Sequence, residues 1–253
     1  MIAWLADEDQ PLPPTAQALG AGSEAPGLLA VGGEITEQRL AEAYSRGVFP
    51  WYGAGQPVLW WSPDPRMVLP VAEFRLSRSL RKAIKRFAAS PACSLRIDSA
   101  LYRVMQACAK TPREGQDDTW IMPEMIEAYG AWPAVHSFET WIEGQLVGGL
   151  YGVGLGRMFF GESMFSHRSD ASKIALAALV CFCRANGIDL IDCQQNTGHL
   201  ASLGAREIPR DAFERLIASR VRETPPREWT YDPAHWERLR DTPDAPRFEE
   251  PGP

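Results

Sequence analysis

Cysteine is scarce in this chain and poorly placed for metal work. The five residues, Cys93, Cys108, Cys181, Cys183 and Cys193, include no CxxC pair. An odd number of thiols does not read as a disulfide scaffold, so reduced cysteines in a cytoplasm are expected, and no zinc site. The four histidines show no metal-ligand spacing, and no metal or other cofactor is expected. Long apolar runs are missing too: nothing approaches the ~20 residues of a membrane helix. The start, MIAWLADEDQ, lacks a basic segment ahead of an apolar core, so neither a membrane partner nor a secretory leader is expected. Positive charge is not in excess, the formal net charge being −6, so any polyanion contact must come from a local basic patch. There is no GxSxG elbow. Gly152, Gly154 and Gly156 are followed by neither GK[ST] nor an opening helix, which leaves hairpin turns and strand crowding as their reading. No internal repeat is visible.

What is present is ordinary in bulk. At 253 residues, 45% apolar and 23% charged, the chain is long enough for one large domain or two unequal ones. The informative stretch runs from Gly161 to Ala205. It reads as a polar loop, then an apolar helix that begins near Ser169 or Asp170 and stops at Gly187, a short buried strand and a second polar loop. Ser169 or Asp170 can cap the helix, and Gly187 suits its left-handed stop. Strand alternation over Ile188 to Gln194 places Asp192 and Gln194 on one face. Two polar groups on an otherwise apolar strand, just before a loop, mark a candidate site.

Around this stretch the order is legible. Residues 1–30 are rich in Pro, Ala and Gly and read as mostly irregular. Thr36 can cap a helix that carries Leu40, Ala43 and Tyr44 on one face and ends at Gly47. An aromatic knot follows, with Phe49, Trp51, Tyr52, Trp60 and Trp61, the last two read as core together with Trp141. Between Phe74 and Ile97 there are seven basic residues and no acidic one. Arg78, Arg81, Lys82, Lys85 and Arg86 fall on one helical stripe, a spacing at which like charges repel. In an acidic protein that stripe is expected to meet phosphates. Residues 136–160 alternate as strands about a turn at Glu143-Gly144, and DAFERLIASRVRE is a further amphipathic helix. The stretch after Thr224 holds seven of the 21 prolines and reads as a loosely docked or disordered extension. The expected division is 1–69, a small N-terminal lobe; 70–224, the main domain; and 225–253, the extension.

Seven strings, in order, carry a resemblance: GLLAVGGEITEQRLAEAYSRGVFPWY, LWWSPDPRMVL, TWIMPEMIEAYG, LVGGLYGV, GESMFS, ASK and LIDCQ…HLASLGA. Together they span most of 27–216, and they resemble the bacterial leucyl/phenylalanyl-tRNA–protein transferase family. Two positions depart from that family's pattern, Asp118 before TWI and Phe138 in HSFE, and the proline-rich tail is extra. The resemblance implies an α/β (α+β) fold: a small N-terminal lobe, then an N-acyltransferase-like domain with a mixed, largely antiparallel sheet flanked by helices. It implies transfer of Leu, Phe or Met from aminoacyl-tRNA to proteins with N-terminal Arg or Lys, marking them for degradation. Separately from the resemblance, a cytoplasmic monomer is expected.

The implied chemistry is aminolysis of an activated ester, which asks for positioning, a proton acceptor and oxyanion stabilisation rather than a covalent nucleophile. By resemblance Gln194 contacts the attacking amine and relays its proton, Asp192 keeps the Gln194 amide aligned, and Glu162 attracts the cationic acceptor. Leu150, Phe159, Met164, Ile191 and, more weakly, Leu179 match the aminoacyl pocket. Trp51 and Trp120 match the aromatics that hold the terminal adenosine, and the stripe from Arg78 to Arg86 is assigned to tRNA. His136, His167 and His199 receive no catalytic role. Two other readings share part of this pattern: an aminoacyl-tRNA-dependent ligase with a peptidoglycan or small-molecule acceptor, and a noncatalytic tRNA-binding module.

Overall fold

The computed structural model describes residues 2–6, 10–111 and 119–239. Asp118, one of the two departures noted above, lies outside them.

The chain opens with β1 (Ala3–Leu5), β2 (Leu28–Gly32), α1 (Glu37–Ser45), β3 (Phe49–Pro50) and β4 (Leu59–Trp61). The four strands form one sheet in the order β1-β2-β4-β3. Helix α1 starts where expected, because the Thr36 hydroxyl accepts the Arg39 N–H, one of the donors a helix start leaves unpaired. Its inward face carries Leu40, Ala43 and Tyr44, all fully buried.

The remaining elements are β5 (Arg66–Pro70), α2 (Arg78–Ala89), β6 (Cys93–Ile97), α3 (Leu101–Lys110), α4 (Pro123–Ala131), β7 (Val135–Ile142), β8 (Gln145–Leu155), β9 (Met158–Ser166), α5 (Ala171–Asn186), β10 (Leu190–Gln194), α6 (Gly198–Ser202), β11 (Arg206–Ile208) and α7 (Arg210–Arg220). Their strands make a seven-stranded sheet ordered β11-β5-β10-β9-β8-β7-β6. Every neighbouring pair is antiparallel except β9 with β10. The architecture is therefore mixed α/β, with a largely antiparallel sheet covered by helices on both faces, as expected.

The two faces have separate cores. One holds Phe138, Leu150, Phe159 and Ile191 against α2 and the nearly all-apolar α5. The other holds Tyr151, Val153, Phe160 and Phe165 against α3 and α4, and continues into the small sheet through Phe49 and Trp60. At its basic stripe α2 exposes Arg78, Arg81, Lys82, Lys85 and Arg86 and buries Leu80, Ala83, Ile84 and Phe87. Among the described residues none of those five cations has an ion-pair partner.

Three readings need correction. GESMFS is the second half of β9, not a loop; its Glu and Ser resemble loop residues, but the backbone pairs with β8 on both sides of Glu162. Asp170 stands at the start of α5, yet its side chain does not cap the helix and faces Lys173 instead, because its own backbone is left-handed there. The stretch after Thr224 is not loose as far as Leu239. Trp229, Tyr231 and Trp236 pack on the core beneath α5, and Leu239 is buried in it.

Candidate active site

The site opens where the sheet's one parallel junction gives way. Strands β9 and β10 pair at Phe159 with Ile191 and at Phe160 with Asp192. Beyond that point each strand carries a bulge. On β9 the register against β8 slips between Gly161 and Ser163, leaving Glu162 as the extra residue. On β10 the register against β5 slips between Asp192 and Gln194, leaving Cys193 extra. An unpaired residue bends its strand and re-aims the side chains beside it. Two facing bulges part the strands, and a cavity of about 290 Å³ lies between them.

Its walls are sorted by chemistry. Leu150, Phe159, Met164, Leu176, Leu179 and Ile191 make an apolar slot; Glu162 and Gln194 stand among its polar lining; Trp51 and Trp120 also border it. Every residue assigned to the aminoacyl pocket or the adenosine contact is thus brought to one cavity, Leu179 as fully as the rest. Leu176 was missed because on the helix pattern it counts only as core. His199, which received no role, lies exposed on the rim; burial of its ring and the nearby Lys173 hold its pKa below the usual imidazole value. The stripe on α2 is not among the residues that line this cavity.

Asp192 and Gln194 turn to different partners. Cys193 is the extra residue between Asp192, opposite Val68, and Gln194, opposite Met67. Ile191 and Cys193 pack in the core under α5, while Asp192 and Gln194 reach groups of the other core, as alternation expects. The bulge holds Gln194 at φ 62, a left-handed conformation uncommon for a residue with a side chain. Asp192 turns to Arg66, which donates Nε to Oδ1 at 2.8 Å and Nη2 to Oδ2 at 2.6 Å. Both side chains are shut off from solvent. The guanidinium lies 4.8 Å from the Phe49 ring centre and 4.7 Å from that of Phe213, and donates its third bond to the Gly47 carbonyl. What Asp192 does for Gln194 is accept its backbone N–H at 2.9 Å. It fixes the strained backbone, not the side-chain amide.

The Gln194 amide is held by Glu162, with Nε2 donating to Oε1 at 2.6 Å. The same oxygen accepts the Tyr44 hydroxyl at 2.6 Å, and Tyr44 lies 2.6 Å from the Tyr129 hydroxyl. Burial and the Glu162 charge raise both phenols well above their ordinary pKa, so both stay protonated. Tyr44 spends its proton on Glu162, and Tyr129 must therefore donate to Tyr44. An ionised carboxylate accepts only, so the Gln194 NH₂ faces Glu162 and its carbonyl oxygen is left for another partner. Glu162 Oε2 is buried with no partner among the described residues. Burial pushes the Glu162 carboxyl up to about 7; the Asp192 charge adds to this, while the bonds from Tyr44 and Gln194 and the Arg66 charge hold it down. Burial likewise pushes the Cys193 thiol up, so the thiol lining the cavity is no ready nucleophile. Sequence reasoning missed Arg66, Tyr44 and Tyr129. Helical spacing placed Tyr44 correctly on a buried face but says nothing about where a hydroxyl points.

An apolar slot beside a carboxamide and a buried carboxyl, with no activated nucleophile among its described lining residues, fits an acyltransferase that sets an acyl group against an amine. Comparison with known proteins gives the same class. The chain belongs to the leucyl/phenylalanyl-tRNA protein transferase family: the family's main domain matches residues 68–218 and its N-terminal domain residues 33–64. A leucyl/phenylalanyl-tRNA–protein transferase from Methylibium petroleiphilum is 67% identical over 243 residues, covering 95% of this chain and 92% of that one. Another, from Leptothrix cholodnii, is 58% identical over 246 residues, covering 95% and 96%. Among solved structures, that of L-PGS from Bacillus licheniformis is 13% identical with a TM-score of 0.35, over 64% of this chain and 52% of that one, a likeness too slight to argue from. The chain is an aminoacyltransferase that uses aminoacyl-tRNA and a protein.

Proposed function

We propose that this enzyme transfers Leu, Phe or Met from aminoacyl-tRNA to the α-amine of proteins beginning with Arg or Lys, tagging them for degradation, and that it acts as a cytoplasmic monomer. The observation that carries the chemistry is the pairing at the mouth of the slot: a carboxamide oxygen without an assigned donor beside a carboxyl whose second oxygen is unpartnered. The acceptor's α-amine, an ammonium below ~8, gives a proton to Glu162 and turns its lone pair on the ester carbonyl. Gln194 Oε1 accepts a remaining amine N–H and fixes the line of attack, which a weakly basic amide can do although it cannot hold the proton. The C–N bond forms and the ester C–O bond breaks; the nitrogen's second proton passes to the departing ribose oxygen, which leaves as a hydroxyl, and Glu162 returns the first to solvent.

The apolar slot suits an unbranched β-carbon with substantial volume beyond it, and Met164 lends it some adaptability. Trp51 and Trp120 offer flat faces for the terminal adenosine. The basic stripe on α2 grips the tRNA through phosphates, with little reading of sequence. Charge release makes such binding steeply salt-dependent. The variant R78A/R81A/K82A is expected to flatten the plot of log affinity against log salt by roughly two units, measured by filter binding. An unchanged slope would take the stripe out of the interface.

The direct test of the whole reading is incubation with radiolabelled Leu-tRNA and peptides beginning with Arg, Lys or Ala. Label is expected on the Arg and Lys peptides only. Equal labelling of all three, or tRNA binding without transfer to any, overturns it.

A further inference from the structure

We infer that Trp229, on the segment that follows α7, is a specificity-determining residue of the aminoacyl slot, acting through Phe159. This rests on reading that slot as the site of the transferred side chain.

Phe159 is wholly buried and lines the slot, and its position is set from behind. Its ring lies against Gly152, where a Cβ would come within 2.6 Å of the ring carbon Cε1. Phe138 meets it edge-on at 6.2 Å and 87°. Trp229 closes the third side, its ring tilted 41° at 6.1 Å from that of Phe159. Among the described residues no backbone pairing holds Trp229 there. It is wedged between His136, stacked at 3.5 Å, and Phe182 on α5, stacked at 4.8 Å. Gly154 makes the room, since a Cβ there would strike the indole at 2.5 Å. The strand thus gives up side chains at two positions, one for the wall of the slot and one for its backing.

Close-packed interiors pass strain on, because an atom with no neighbour behind it moves. With the indole in place Phe159 has no room to withdraw, and the depth of the slot is fixed. A smaller residue at 229 leaves a space into which the Phe159 ring can retreat, and the slot deepens. Leucine and phenylalanine differ mainly in length, so that depth is what distinguishes them. The segment beyond the catalytic domain is in this way part of the substrate-selecting wall.

The test compares the full-length protein with Trp229→Ala and Trp229→Phe, measuring kcat/KM for Leu-tRNA and Phe-tRNA with one Arg-initiated peptide. The Phe-to-Leu ratio is expected to rise about tenfold in Trp229→Ala, the scale of one methylene in an apolar pocket, and by less in Trp229→Phe. A role confined to stability would lower both substrates by one factor and leave the ratio fixed, and that result overturns the inference. Should Trp229→Ala fail to fold, the ratio in Trp229→Phe decides alone. A wild-type protein inactive on both substrates would instead overturn the aminoacyl reading on which the inference stands.

Discussion

Replacing Arg66 by alanine is expected to destabilise the protein by about 3–5 kcal/mol, the usual cost of stranding one member of a buried ion pair. For a chain of this size that is a fall in melting temperature of roughly 10 °C, and transfer should be lost even below the new midpoint. Asp192 would be left in a site closed to water with the Gln194 N–H as its remaining donor among the described residues. The activity loss has a separate cause. The carboxylate that Arg66 orients is what holds Gln194 in its left-handed conformation, and that conformation aims the amide at Glu162. The variant R66M/D192L separates the two effects. Apolar replacements of a buried pair are commonly neutral or stabilising, so calorimetry should find most of the stability restored. Aminoacyl transfer should stay low, because the backbone N–H of Gln194 has lost its acceptor. A double variant that recovers transfer along with stability would show that Asp192 matters to folding alone.

How far the sequence could anticipate this follows from the range of each signal. Local signals performed well. Thr36 caps α1 and Gly187 ends α5, as the residue types demand. The turn at Glu143-Gly144 has the positive φ angles expected of it. The residues assigned to the slot meet in one cavity; the family strings mark them, whereas apolar periodicity cannot tell a pocket from a core. What failed needed information that a periodic pattern does not hold. Alternation groups Asp192 with Gln194 but says nothing of the bulge between them or of their separate partners, Arg66 and Glu162. Glu162 looked like a loop carboxylate because a bulge on β9 is equally invisible in the sequence. Arg66 finds its partner 126 residues away, and nothing local to SPDPR announces it. The tail was misread through its prolines; its aromatic residues, Trp229, Tyr231 and Trp236, were the better guide to docking.

Glu162 should prove costly to stability and indispensable to transfer. In the folded protein its carboxyl titrates at about 7, against 4.5 for an unperturbed glutamate. Between those values the native state keeps a proton that the unfolded chain releases, so stability falls as pH rises through that window. Above pH 7 the ionised form costs on the order of 3 kcal/mol. Glu162→Gln removes that charge and can still accept the Tyr44 hydroxyl and the Gln194 amide through its carbonyl oxygen. The variant should therefore melt several degrees above wild type at pH 8.5 and show no such advantage near pH 4.5, by calorimetry at matched ionic strength. Its transfer rate should drop about a hundredfold, at the modest end of what a positioned proton acceptor contributes. Its pH profile at saturating acceptor should also lose the wild-type rise through about 7. A wild-type group that had only to attract a cation would behave differently: the loss would appear in KM for the acceptor, with kcat and its pH profile intact. A variant less stable than wild type at pH 8.5 would mean that Glu162 is ionised at little cost, and the buried carboxyl could not then be the group that takes the amine's proton.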